Sequence, residues 1–167
     1  MAEEPFLPSV RELVRCYQAL VTYSVAHLRS LGLTSPQFDI IATLGNTPGM
    51  TPKELGEKTL ITKGTLTGVV DRLAAKGLVR RVAHNSDGRS QIVQLTKKGE
   101  RLFDKVFPAH VAYFSRAFAG LKTEDYARIE AALRDLRVVF HESLDRRSVV
   151  SQRSSEESEL IGLEIRV

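Results

Sequence analysis

Residues 62–96 read TKGTLTGVVDRLAAKGLVRRVAHNSDGRSQIVQLT. The first half has a helical period. Leu66, Val69, Val70 and Leu73 recur at spacings of three and four and define one buried stripe. Thr62 stands where a cap is expected, and Lys76-Gly77 supplies a basic last turn and a glycine stop. The period then changes. Leu78 to Ala83 and Gln91 to Leu95 are short segments compatible with strands. His84-Asn85-Ser86-Asp87-Gly88-Arg89 between them is a polar loop with an Asp-Gly turn signal, so the pair reads as a hairpin. Thr96 is placed to cap the next helix.

Upstream, Thr51-Pro52-Lys53-Glu54 has the cap, the first-turn proline and the returning glutamate of a helix start. That helix is short and ends near Lys58. Short helix, turn, helix and hairpin make a winged helix-turn-helix. In that arrangement the second helix enters the DNA major groove, and the hairpin tip reaches the backbone or the adjacent minor groove. Helical geometry sends Lys63, Gly64, Thr67, Gly68 and Asp71 outward, with Thr62, Thr65 and Arg72 on the borders. Small residues there let a helix into a groove about 12 Å wide, and threonine offers a hydroxyl for phosphates or bases and a methyl for thymine. Lys63 gains little from the dipole at a helix start, so a phosphate explains it better.

The flanks are helical. Val10, Leu13, Val14, Tyr17, Leu20, Val21, Val25, Leu28 and Leu31 share one face, and Gly32 ends that helix. Thr34 and Gln37 can form a capping box for a second helix that stops at Gly45. From Thr96 a long helix carries Phe103, Val106, Phe107, Val111, Phe114, Phe118 and Leu121, with Pro108 as a kink or break. Thr123-Glu124-Asp125 caps a last helix along Tyr126, Ile129, Leu133, Leu136, Phe140 and Leu144. Ser148 to Glu159 is Ser/Glu-rich and reads as linker or disordered. The expected fold is mainly α with a small β wing. Residues 1–33 are an N-terminal dimerisation helix, 34–99 the winged helix-turn-helix lobe, 100–145 the C-terminal dimerisation helices, and 146–167 a tail.

Composition sets the outer limits. The chain has 167 residues, 43% hydrophobic and 26% charged, which suits one globular domain, or one domain with an extra arm. No apolar run approaches the roughly 18 residues that span a bilayer, so no membrane partner is expected. The single Cys16 excludes an internal disulfide, and a reducing cytoplasm is the simplest compartment. Residues 51–101 hold 11 Lys/Arg against 5 Asp/Glu, while the whole chain is only +4. A localised basic segment on a near-neutral body is what a polyanion-binding module needs. No Gly-rich phosphate loop, nucleophile elbow or paired metal motif is present. No catalytic residue and no cofactor is therefore expected. His27, His84, His110 and His141 are scattered, so no metal site is expected either.

Asp87 to Thr96 fits D-x-R-x-x-x-V-x-L-T, the wing signature of MarR-type regulators, and Lys97-Lys98-Gly99 follows as it often does there. Val70-Asp71-Arg72-Leu73 and Lys76-Gly77-Leu78-Val79-Arg80-Arg81 also resemble that family's recognition helix and first wing strand. The resemblance covers roughly residues 10–145. It implies a homodimeric DNA-binding regulator, usually a repressor, joined through its first and last two helices and bound to a pseudo-palindromic site. It places Arg89 at a wing tip that enters the minor groove, and Thr65 and Thr67 against DNA. Asp87 matches an acid that orients arginines, with Arg72 as candidate partner. Gly68 departs from the arginine many members carry, which shifts weight onto Lys63, the threonines and the wing.

The resemblance also implies release from DNA by a small, often phenolic or aromatic ligand. Tyr17, Tyr23, His27 and Phe38 are candidates to line its pocket, with core packing as the competing role. Cys16 matches the reactive thiol of a peroxide-sensing subgroup. Ser35 and Phe38 stand where that subgroup has tyrosines, position 20 is Leu20 and bears no hydroxyl, and a lone cysteine is commonly a small buried hydrophobe. A winged-helix module that binds protein instead of DNA is a further alternative. It would need an apolar or acidic recognition face.

Overall fold

The structure is a computed structural model that describes residues 4–59, 61–83 and 91–164. Its elements run α1 Leu7–Ser30, α2 Ser35–Leu44, α3 Pro52–Lys58, α4 Lys63–Ala75, β1 Val79–Ala83, β2 Gln91–Leu95, α5 Lys97–Phe118 and α6 Thr123–Glu164. Two capping boxes start the inner helices. Thr34 Oγ1 accepts from the Gln37 amide at 3.4 Å while Gln37 Oε1 accepts from the Thr34 amide at 3.2 Å. Thr51 and Glu54 make the same exchange at 3.2 and 2.8 Å. Glycine closes α1 and α4 alike. Gly32 and Gly77 take φ of +73° and +67°. Leu33 then bonds back to Leu28 and Leu78 to Leu73, both at 3.0 Å, which satisfies carbonyls the helix end would leave bare.

The wing is an antiparallel pair with Val79 opposite Leu95, Arg81 opposite Val93 and Ala83 opposite Gln91. Met50 adds a bridge that the sequence did not announce. Its amide donates to the Val93 carbonyl at 2.9 Å, and the Val93 amide returns the bond at 2.7 Å. Gly49, at φ +111°, permits this approach, because a Cβ there would lie 2.8 Å from that carbonyl oxygen.

One core joins Ile40, Ile41 and Leu44 of α2, Leu55 of α3, and Leu66, Val69, Val70 and Leu73 of α4. Val79, Val93 and Leu95 of the wing and Phe103 and Val106 of α5 complete it. Each such side chain contributes about 1.5–3 kcal/mol on burial, so α4 is anchored along its whole inner stripe.

Several expectations change. Thr62 occupies the cap position of α4, but its hydroxyl donates to Thr65 Oγ1 at 3.0 Å and makes no backbone cap. Pro108 lies inside α5 without ending it. It removes one amide donor from a helix whose buried stripe continues on both sides. Thr123 is already helical. Lys122 is the residue before the helix, and its amide donates to Asp125 Oδ2 at 3.0 Å. Residues 146–164 are not linker. They continue α6, because Ser and Glu cost only tenths of a kcal/mol each in a helix and no Gly or Pro intervenes before Gly162.

The chain forms two compact units, Met1–Ala117 and Phe118–Val167. In the second, Tyr126 donates its hydroxyl to the Phe118 carbonyl at 2.9 Å, and Arg134 pairs with Glu130 one turn away. Its apolar residues Ile129, Leu133, Phe140 and Leu144 are exposed, as are Val14, Tyr17, Leu20 and Val21 of α1 in the first unit.

Candidate nucleic-acid interface

The outer face of α4 is small and polar because its inner face is committed to the core. Thr62, Gly64, Thr65, Thr67, Asp71 and Arg72 are exposed, and Gly68 is half-buried. A Cβ at Gly64 would meet no described atom within 4 Å. At Gly68 it would meet the Arg72 guanidinium, at 3.6 Å. The packing therefore does not demand glycine at either place.

Asp87 and Arg89, together with the Lys63 side chain, lie outside the described residues, and so does the suggested Asp87–Arg72 pair. The acid–arginine link that is present joins the helix to the wing strand. Arg81 Nη2 lies 2.7 Å from Asp71 Oδ1. Both side chains are well solvated, so the pair is worth about 0.2–1 kcal/mol. Its consequence is geometric, since it holds β1 against the outer edge of α4. Arg80 and Arg81 look alike in the sequence, and only their placement on the strand separates them.

Thr96 fastens the lobe at one point. Its hydroxyl donates to the Gly77 carbonyl at 2.7 Å and accepts from the Gly99 amide at 3.1 Å. The end of α4, the end of β2 and the start of α5 are thus tied by one side chain. Gly99 lies so close that a Cβ would sit 2.0 Å from the Leu78 carbonyl oxygen. Lys98 Nζ donates to the Lys76 carbonyl at 2.8 Å. The Lys97-Lys98-Gly99 run is therefore structural at its last two positions.

Behind the lobe, α1, α2 and α5 line a cavity of about 320 Å³ that is open to solvent on one side. Tyr17 and Phe38 line it, with Leu20, Ser24, His110 and Phe114 among the others. Tyr23 and His27 do not. They stack on either side of the Tyr113 ring at 4.4 and 4.3 Å, and the Tyr23 hydroxyl donates to the Tyr113 carbonyl at 3.0 Å. Their first role is therefore packing.

His110 was missed. It is buried, with Nδ1 2.9 Å from His27 Nδ1 and Nε2 3.3 Å from Ser24 Oγ. Burial pushes its imidazole below the ordinary histidine value, and the neighbouring His27 adds to the shift. A signal was available, since His110 continues the buried stripe of Gly99, Phe103 and Val106 at helical spacing. Cys16, expected as a small buried hydrophobe, is exposed on α1. Among the described residues no cluster of three or more His, Cys, Asp or Glu could hold a metal ion. No described helix is long and apolar enough to cross a membrane.

A short helix, a second helix with a small exposed face and a two-stranded wing over one core define a winged helix-turn-helix protein. Residues 31–90 match the sequence pattern of the MarR family. The regulator MhqR of Bacillus subtilis is 30% identical over 113 residues, which cover 68% of this chain and 78% of that one. The chain belongs to the MarR family, whose members are transcription factors and not enzymes. AbsC, a MarR family regulator from Streptomyces coelicolor, superposes with a TM-score of 0.74 at 26% identity, covering 84% of this chain and 97% of its own. BpsR of Bordetella bronchiseptica, whose DNA binding is regulated by 6-hydroxynicotinic acid, has a TM-score of 0.71 at 24% identity, with 82% and 98% covered.

Proposed function

We propose that the protein is a homodimeric, sequence-specific regulator of double-stranded DNA, a repressor released by a small aromatic effector. The observation that carries this reading is the exposed Thr/Gly face of α4, backed by a fully buried stripe and tied to a basic wing strand. Thr62, Lys63, Thr65, Thr67, Gly68 and Arg72 meet the major groove and its phosphates, Arg89 enters the adjacent minor groove, and Asp87 orients arginines of the wing. Exposed apolar residues on α1 and α6 support the dimer, since faces of that size mark interfaces. Two lobes then read half-sites about one helical turn apart.

The cavity beside Tyr17 and Phe38 supports the effector. Its volume, about 320 Å³, suits a single-ring ligand, and its walls are mostly apolar with a few polar groups. A ligand that favours one spacing of the two lobes shifts DNA affinity by linkage. Exposure of the Cys16 thiol favours a second reading, in which oxidation releases the DNA.

Fluorescence anisotropy against the gene's own upstream DNA and a scrambled duplex, at two salt concentrations, tests the reading. The expected result is salt-sensitive binding with a preference of about 10³ or more for the upstream duplex. Equal, weak binding to both would overturn it in favour of a protein-binding winged helix. Peroxide that abolishes binding of the wild type but not of Cys16→Ser would move the assignment to the second reading.

A further inference from the structure

We propose that His27 and His110 form a proton-operated joint between α1 and α5, so that acidification loosens the DNA-binding lobe. The coupling to DNA rests on the function proposed above; the joint itself does not.

The two Nδ1 atoms are 2.9 Å apart, the length of an N–H···N hydrogen bond. Such a bond holds a single proton between the two nitrogens, so one ring donates and the other accepts. Two imidazolium rings would point N–H at N–H, with like charges in contact. The singly shared state is therefore the state that holds the helices together.

The surroundings make that contact a joint. On α1, Ser24 reaches His110 Nε2 at 3.3 Å. On α5, Tyr113 stacks flat on His27 at 4.3 Å and Phe114 meets His110 edge-on at 4.8 Å. From α2, Phe38 meets the His110 ring at 4.5 Å, and its neighbour Asp39 lines the cavity that His110 also lines. Arg116, one turn along α5, acts on Tyr23 of the same aromatic cluster. Among the described residues, Asp39 of α2 and Arg116 of α5 are the charged groups nearest in this cluster's contacts. His110 is buried and His27 half-buried, so a second proton has little water to solvate it.

The route to the DNA face is short. Phe38 is followed on α2 by Ile40, Ile41 and Leu44, which share a core with Leu66, Val69 and Val70 behind the recognition helix. A second proton at the joint frees His110 from His27, and the displaced ring bears directly on Phe38. The proton then acts as an effector in its own right beside the cavity.

Two measurements on the full chain test this. Histidine ring NMR of the wild type should show, at pH 8, a coupling across the N–H···N bond between the two Nδ1 atoms, and its loss at pH 5. No such coupling at pH 8, or an unchanged one at pH 5, would overturn the joint. Operator anisotropy over the same range should show the wild type weakening about tenfold more than His27→Gln, which keeps a hydrogen-bonding side chain without a titrating one. Equal pH dependence in both proteins would refute the switch even if the rings share the proton at pH 8. If the wild type binds no operator at pH 8, the proposed function fails, and the NMR result still decides the joint.

Discussion

Replacing Thr96 by valine removes one hydroxyl and keeps the side-chain shape. In the native protein that oxygen donates to the Gly77 carbonyl at 2.7 Å and accepts from the Gly99 amide at 3.1 Å. The second bond caps α5, and losing such a cap costs about 0.5–2 kcal/mol. The first is an ordinary hydrogen bond to a helix-end carbonyl, with a net worth of about 0.5–1.5 kcal/mol. Thr96 is half-buried, so water recovers part of the loss. The expected total is about 2 kcal/mol, or a fall in midpoint of roughly 4–8 °C for a chain of this size. The assay is thermal and urea unfolding of wild type, Thr96→Val and Thr96→Ser, with operator affinity measured on the same samples. Serine should restore stability to within about 0.5 kcal/mol, because it restores the oxygen. Operator affinity should fall with the valine variant, because the hinge that sets the wing against α4 is loosened. If Thr96→Val were as stable as the wild type, the hydroxyl would not be the fastener, and the last residue of the wing signature would need another explanation.

Gly99→Ala should destabilise by about 1–3 kcal/mol in chemical unfolding, since its Cβ would stand 2.0 Å from a backbone oxygen; a neutral effect would mean that α5 can shift freely. Asp71→Asn should change stability by less than about 1 kcal/mol but raise affinity for scrambled DNA, because Arg81 is freed for phosphate. Unchanged affinity would remove Arg81 from the interface. Lys63→Ala should flatten the slope of log affinity against log salt by about one unit, and an unaltered slope would take Lys63 off the backbone. For His110 the folded form holds its proton less tightly than the unfolded chain, so the unfolded state binds more protons as pH falls. Its contribution is full above about pH 6.5 and declines as pH drops through the lowered folded value. Urea midpoints at pH 8 and pH 6 should show that decline, and a midpoint that rises on acidification would contradict it.

Local patterning along the chain accounts for the wing strands and the helix before them. Leu66, Val69, Val70 and Leu73 are local in the chain, and their spacing allows one buried face. The capping boxes at Thr34 and Thr51 and the glycine stops at Gly32 and Gly77 are likewise written within a few residues, because caps and turns are satisfied by near neighbours. What needed the tertiary structure is whatever one segment asks of another. Met50 pairs with Val93, Arg81 with Asp71, and His110 with His27, across separations no periodicity records. The same holds for the cavity, which kept Tyr17 and Phe38 as lining but turned Tyr23 and His27 into a stack around Tyr113. The tail is a different case, since its helix runs on through Glu164 on local propensity that its composition alone made look like a linker. Local patterns choose elements because hydrogen bonds and caps act over one or two turns. Pair identities wait for packing, which brings distant side chains within reach and decides which of several similar residues meets its partner.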